Sequence, residues 1–307
     1  MIYDVIIVGG GPAGLTAAIY AKRAGLSMIL LDPSPMSGGQ IVNTYEVDNY
    51  PGLPGKSGME LGMAFRQHGE KLGAEYRVES VKSIGVENGY KQVVTRKETY
   101  LAKTVILCTG AVNRKLGVAG EKEFTGAGVS YCATCDGAFF RNKVTAVVGG
   151  GDVALEDALF LSRFASKVYL IHRRDEFRGA KILQDQVMEN PKIEVLYDTV
   201  VNEIRGQSQV ESLLIYNRKK EESSELPVDG VFIAVGILPN TEKLQNLPAV
   251  DEHGYIIAGE DTVTSEPGIF AAGDVRTKQL RQVITAAADG ANAITSIQRY
   301  LQEHPEL

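Results

Sequence analysis

The sequence predicts an α/β protein of two three-layer units, one inserted into the other, and three observations carry that prediction. A chain of 307 residues with 44% hydrophobic content suits about two domains of roughly 100–200 residues, each with its own core. A β-branched run, three glycines, a helical pattern and a second β-branched run occur at residues 4–32 and again at 144–174, which is the signature of a repeated βαβ unit. Further strand-like segments lie on both sides of the second copy, at 102–110 (AKTVILCTG) and 267–275 (PGIFAAGDV).

The repeat comes first. A constant offset carries Gly9 onto Gly149, Gly11 onto Gly151 and Gly14 onto Ala154. The first glycine permits a tight strand-to-helix turn, the second lets backbone approach a pyrophosphate, and the third, or alanine, allows close helix–strand packing. Phosphates then meet unpaired N–H groups at the helix N-terminus. A lone G-x-G-x-x-G also fits an ordinary turn, but two in register, each in full strand–turn–helix–strand context, read as two Rossmann-like nucleotide-binding domains. The end of the second strand separates their ligands. Asp32 is the acid expected on a ribose with free hydroxyls. The same offset replaces it with His172, which opens HRRDEFR and brings Arg173, Arg174 and Arg178. Guanidinium forks bind the 2′-phosphate that a carboxylate would repel, so the second site reads as NADPH rather than NADH.

The outer strand-like segments end in Thr-Gly and Gly-Asp, where a strand can stop against a cofactor. After them, residues 281–301 have helical character, with Ile284, Ala287, Ala288, Ala291, Ile294 and Ile297 forming an apolar face. The expected division is a discontinuous domain, 1–114 with 244–307, and an inserted domain, 115–243. Its exit lies near the Pro239-Asn240-Thr241 turn. Within the insertion, 192–205, 211–218 and 228–235 alternate as an antiparallel or mixed sheet addition would, and 219–226 (KKEESSEL) reads as an exposed hairpin tip.

Net charge is −6, so no overall positive field draws the chain to nucleic acid or anionic lipid. The N-terminus lacks the features of a signal peptide, and no apolar run reaches the ~20 residues of a membrane span. The expectation is a chain with neither nucleic-acid nor membrane partner. Only three cysteines occur, and Cys132 and Cys135 stand three apart in YCATCDGAFF. In a reducing compartment such a pair is catalytic or metal-binding. A structural zinc site wants four ligands, yet only Cys108 and the scattered His68, His172, His253 and His304 remain, so no metal is expected.

Together GGGPAG (9–14), GGQ (38–40), EVDNYPG (46–52), CTGA (108–111), CATCDG (132–137), GGGDVALEDA (149–158), HRRDEFR (172–178), GDV (273–275) and RQVITAA (281–287) are specific. Over essentially its full length the chain resembles the low-molecular-weight, bacterial-type thioredoxin reductases. The resemblance implies FAD in the discontinuous domain, NADPH in the inserted one, a cytoplasmic homodimer, and rotation of the inserted domain between half-reactions. It implies that Gly9, Gly11, Pro12, Ala13, Gly14 and Asp32 hold the FAD pyrophosphate and ribose. Gly39, Gln40, Asn49, Thr109 and Gly110 would line the flavin, Asp274 the ribityl chain, and Arg281 with Gln282 the helix end at the ring. On the NADPH side it implies Gly149, Gly151, Asp152, Val153, Glu156, His172, Arg173, Arg174, Arg178 and Gly236. Two departures are Cys108, where the family's strand usually ends Ala-Thr-Gly, and Val153, often serine in relatives. Cys108 is expected to pack as a small hydrophobe.

The resemblance makes Cys132 and Cys135 a reversible disulfide, and a helix N-terminus lowers a thiol pKa from ~8.5 into the ~3.5–7.5 range. Asp136 is the candidate general acid for the departing thiolate, provided that burial raises its pKa; a helix-capping carboxylate is the other reading. The expected activity is reduction of the thioredoxin disulfide by NADPH through FAD and the Cys pair. The alternatives are a flavin reductase serving another thioredoxin-like or peroxiredoxin-linked carrier, and a redox-sensing protein that binds dinucleotides without turnover. Which cysteine faces the flavin is not legible in the sequence.

Overall fold

The computed structural model describes residues 1–44, 46–241 and 248–307, with the side chain of Asn43 left aside. The chain begins β1 (Ile2–Val8), α1 (Pro12–Arg23), β2 (Met28–Asp32), α2 (Gly58–Lys71), β3 (Glu75–Val78), β4 (Val81–Glu87), β5 (Tyr90–Thr95), β6 (Thr99–Leu107) and β7 (Ala111–Asn113). It continues β8 (Val129–Ser130), α3 (Ala133–Asp136), β9 (Val144–Gly149), α4 (Asp152–Leu161), β10 (Lys167–Ile171), α5 (Lys181–Glu189), β11 (Ile193–Leu196), β12 (Thr199–Gly206), β13 (Val210–Asn217), β14 (Glu222–Pro227) and β15 (Gly230–Ala234). It ends β16 (Ile237–Pro239), β17 (Ile269–Ala271) and α6 (Val283–Glu303). Two compact units result, Met1–Val112 with Leu238–Leu307, and Asn113–Ile237. The expected 243/244 boundary lies outside the described residues. β7 and β16 pair with each other in a two-stranded sheet.

In the discontinuous unit β3, β2, β1 and β6 run in that order, continued by the antiparallel β5 and β4, while β17 also pairs with β6 in parallel. Successive side chains of a strand point to opposite faces, and both faces of β1 are buried. Val5 and Ile7 enter a core shared with α1, α2 and α6; Ile6 and Val8 enter one shared with Ile84, Val93 and Ile256. Burial on both sides explains the unbroken apolar run VIIV, residues 5–8. Helix α2 starts at a reciprocal capping box, with the Ser57 hydroxyl accepting from Glu60 N–H and the Glu60 carboxylate from Ser57 N–H.

The inserted unit repeats the plan. Its sheet is ordered β11, β10, β9, β15, β8, all in parallel. Val147 faces α4 and α5, whereas Ala146 and Val148 face a core that holds Ile204 and Leu213 of an antiparallel β12–β13–β14 sheet. Among the described residues no helix is long and apolar enough to cross a membrane.

Four local expectations differ from the structure. The tract 192–205 is two strands, β11 in the parallel sheet and β12 in the antiparallel one, broken at Asp198 with φ 51°. Most of the expected hairpin tip is strand β14, paired along β13, and the turn tightens at Glu221 with φ 55°. The tract 228–235, expected in an antiparallel or mixed addition, supplies β15 to the parallel sheet. On α6 the buried residues are Ala286, Ala287, Asp289, Gly290, Ala293, Ile294 and Ile297, with Ile284 exposed. That face packs in one core with Ala13 and Ala17 of α1, where small side chains let the helices approach closely.

Candidate active site

Cys132 follows the two-residue strand β8 and caps α3. Its Sγ accepts from the N–H of Cys135 at 3.2 Å, and the two cysteines are joined in a disulfide with Cα atoms 5.3 Å apart. That N–H favours negative charge on the Cys132 sulfur once the bond is reduced. Asp136 closes the helix. Its Oδ2 accepts from the Ser130 hydroxyl at 2.5 Å, while the same hydroxyl oxygen accepts from Cys132 N–H at 3.1 Å. Burial pushes the Asp136 carboxyl above its ordinary range, against the Ser130 hydrogen bond that favours the ionised form. The preceding residue, Tyr131, donates to Glu121 at 2.8 Å; Glu121 also accepts from the N–H groups of Leu116 and Gly117, and the Lys115 ammonium lies 3.7 Å from the Tyr131 ring centre. A half-buried disulfide beside a carboxyl whose proton is favoured is suited to exchange with another disulfide.

The first glycine turn lies at the carboxyl ends of β1, β6 and β17. Gly9 has φ +115°, and a Cβ there would stand 2.2 Å from the Cys108 carbonyl oxygen, so only glycine makes this turn. Around Gly11 and Gly110 there is open space, with nothing within 4 Å of a built Cβ. Pro12 and Ala13 open α1, and Gly14 is buried within it. Asp32 holds the turn through its two oxygens, which accept from Gly10 N–H at 2.5 Å and Ser34 N–H at 2.7 Å. Burial nevertheless raises its pKa. Gly39 and Gln40 lie exposed in a short 3₁₀ turn, Gly39–Asn43. Asn49 and Gln282, 233 positions apart in the chain, meet in a 2.9 Å hydrogen bond from Asn49 Nδ2 to Gln282 Oε1. Among the described residues, three buried atoms here have no hydrogen-bond partner: Thr109 Oγ1, Asp274 Oδ1 and Arg281 Nε. Burial raises the Asp274 pKa, with Lys278 and Arg281 opposing. Such orphaned groups are costly to bury, and they fit the polar chain and ring of a flavin.

The second turn lies at the carboxyl ends of β9 and β15, where Gly149, Gly151 and Gly236 stand. Space around Gly151 is open. His172 occupies the place that Asp32 has in the first copy. Its ring lies against Gly150, where a Cβ would come within 2.2 Å, and its Nε2 pairs with the Glu176 carbonyl at 2.9 Å. Burial lowers the His172 pKa and keeps the ring neutral at pH 7. Arg173, Arg174 and Arg178 are exposed, and among the described residues none has a carboxylate within salt-bridge distance. Asp152 Oδ1 accepts from Ala180 N–H at 2.6 Å, closing the arginine loop onto the start of α4, while Val153 and Glu156 are exposed. This cradle suits a phosphate-bearing dinucleotide.

Sequence reasoning missed Ser130, Glu121 and the cluster around Asp289. Asp289 accepts from Arg276 (Nη2 2.6 Å, Nε 2.9 Å), Lys278 Nζ (2.8 Å) and Gly273 N–H (2.9 Å), all buried or nearly so. Its one available signal is a single acid in the alanine-rich first half of a helix. Cys108 is a buried free thiol in the adjoining core, its ionisation disfavoured by burial and by Asp289.

The model of the pyridine nucleotide-disulphide oxidoreductases matches residues 3–290, and that class agrees with two nucleotide turns and a redox disulfide in one chain. A thioredoxin reductase of Listeria innocua is 46% identical over 306 residues, covering 99% of this chain and 96% of that protein. The crystal structure of a thioredoxin reductase from Streptococcus pyogenes superimposes with a TM-score of 0.93 at 46% identity, covering 98% and 99% of the two chains. That of Lactococcus lactis thioredoxin reductase, in its FR conformation, gives 0.68 at 43% identity with the same coverage. The chain belongs to the pyridine nucleotide-disulphide oxidoreductase family, in its thioredoxin reductase branch.

Proposed function

We propose that two electrons pass from NADPH, through FAD, to the Cys132–Cys135 disulfide and then to the disulfide of a thioredoxin. The observation that carries this reading is the disulfide itself, held beside the protonation-prone Asp136 in the same unit as the unpaired arginines. Bound FAD would supply the exchange between nicotinamide hydride and sulfur electron pairs. The chain's own residues do the rest. Gly9, Gly11, Pro12, Ala13 and Gly14 would cradle its pyrophosphate and Asp32 its ribose. Thr109, Gly110, Asp274, Arg281 and Gln282, with Gly39, Gln40 and Asn49, would hold the flavin end. Gly149, Gly151, Asp152, Val153, Glu156 and Gly236 would line the NADPH path, with Arg173, Arg174 and Arg178 on the 2′-phosphate and His172 supporting the turn from beneath.

In the protein exchange, two electrons and two protons convert the Cys132–Cys135 disulfide to a dithiol. One thiolate attacks the thioredoxin disulfide, forming a mixed disulfide and expelling a thiolate that takes up a proton. The second cysteine then attacks the mixed bond, restoring Cys132–Cys135 and releasing reduced thioredoxin. Asp136 would donate the proton to a departing sulfur. Because the nicotinamide cradle and the cysteines share one unit while the flavin residues lie in the other, rotation of the inserted unit on β7 and β16 would serve both half-reactions. Relatives of like identity with TM-scores of 0.93 and 0.68 support more than one arrangement within the family. The family also supports a cytoplasmic homodimer.

Anaerobic stopped-flow absorbance tests the route. NADPH should bleach the flavin of the holoprotein and oxidised thioredoxin should restore its colour. Cys132→Ser and Cys135→Ser should each lose thioredoxin reduction, by at least about 10³-fold, while still bleaching with NADPH; full turnover in either variant refutes the reading.

A further inference from the structure

The strand before the disulfide carries a hydroxyl with no part in the scheme above. We propose that Ser130 is a positioning residue that links the Cys132 peptide to the Asp136 carboxyl and orients that carboxyl for proton delivery to sulfur; the inference rests on the Asp136 reading.

Ser130 is 5% exposed, so its hydroxyl must find its partners inside the protein. It has one fixed donor, the N–H of Cys132 at 3.1 Å, and two acceptors for its single proton, Asp136 Oδ2 at 2.5 Å and the Cys132 carbonyl at 3.4 Å. A serine hydroxyl rotates to suit its surroundings. With Asp136 ionised, the proton points to the carboxylate, the shorter and charge-assisted bond. Once Asp136 is protonated that acceptor is weakened, and the proton can turn to the Cys132 carbonyl. In both states the Cys132 N–H keeps its acceptor, so the redox cysteine's backbone stays in place while the carboxyl changes charge. Strand β8 holds the hydroxyl there through its parallel pairing with β15, Val129 opposite Val231 and Ser130 opposite Phe232.

Few other charges act on Asp136. Helix α4, which packs on α3, carries Asp152, Glu156 and Asp157; burial, with help from Glu156, raises the Asp157 pKa to about 7. The turn after α3, Gly137–Phe140, has no ionisable side chain, and β15 has none. On the Tyr131 side stand Glu121 and Lys115. Burial and the Ser130 hydroxyl are the two influences resolved on Asp136 itself, so the hydroxyl is the local means of lowering its pKa.

The sign follows. Asp136 acts as an acid, so thioredoxin reduction falls as pH rises through its pKa. Ser130→Ala removes the donor that favours the carboxylate, so this alkaline limb should move to higher pH, while the rate on its plateau falls about tenfold through lost orientation. The decisive measurement is the pH profile of thioredoxin-coupled turnover for the wild type, Ser130→Ala, Asp136→Asn and the double variant, each with its melting temperature. Ser130→Gly repeats the hydroxyl deletion should alanine fail to fold, and Asp157→Asn should leave the limb in place. If Ser130 acts through Asp136, its deletion costs less than about twofold once Asp136 is Asn. An equal tenfold loss in both backgrounds, or an unmoved limb, overturns the inference alone. A wild-type rate and profile in Asp136→Asn overturns the Asp136 reading, and the inference with it.

Discussion

At the residue scale, matching positions of the two βαβ copies hold opposite chemistry. Asp32 ties Gly10 through its carboxylate, whereas His172 presses a neutral ring on Gly150. Taking charge out of the second turn would let the neighbouring guanidiniums, as proposed, meet a phosphate without a carboxylate at that position. Arg174→Ala should therefore raise KM for NADPH about tenfold or more, given ~1.5–3 kcal/mol for a charge-assisted hydrogen bond, and leave KM for NADH nearly unchanged. Initial rates with both nucleotides decide it, since an equal effect on the two would mean that Arg174 does not read the 2′-phosphate. The position of the arginine loop beside the second turn was legible, because its register with Asp32 set that expectation. Ser130 was not, because a serine in GVSY carries no spacing signal and gains meaning only when α3 turns Asp136 back towards it.

At the element scale, the glycine turns and their flanking strands were legible in the sequence, because a Gly-rich turn between a β-branched run and a helix has few structural solutions. The polar strand β14 was not, since pairing with β13 outweighs a local pattern that reads as loop. Helix α6 was misread in a more informative way: its apolar residues suggested a face through Ile284, but the fold buries a charge instead. Burial alone would raise the Asp289 pKa, yet hydrogen bonds from Arg276 and Lys278, with their charges, hold it below the usual carboxylate range. Asp289→Asn would leave two buried cations short of a counter-charge, at a cost of ~3–5 kcal/mol. A folded-state pKa below the unfolded value of ~3.9 means that the carboxylate's contribution is complete above that unfolded value and fades as pH falls through the folded one. The gap between wild type and Asp289→Asn in urea unfolding should be full at pH 7 and narrow below about pH 4. A gap independent of pH would show that packing, not charge, sets the cost.

At the scale of the whole molecule, the chain divides its stability between cores that share no residue. The clusters around Val5, Ile7 and Phe270 and around Ile6, Val105 and Ile256 lie wholly in the discontinuous unit. Those around Val148 and Leu213 and around Val147 and Leu155 lie wholly in the inserted one. Cooperative opening follows contiguous packed units, so perturbations should stay within the unit they touch. Asp289→Asn should speed amide hydrogen exchange in β1, β6, β17 and α6 and leave β9, β10 and β15 at wild-type rates. Conversely, NADP⁺ at a hundred times its Kd, worth about 2.7 kcal/mol to the unit that binds it, should slow exchange in β9, β10 and α4 and leave β1 and β2 unchanged. Both effects are read in one mass-spectrometric exchange experiment on the holoprotein. Slowing in β1 by NADP⁺ would place the nucleotide in the wrong repeat. Uniform changes across both units would mean that the protein opens as one body, and that the strands joining the units transmit stability as well as permit movement.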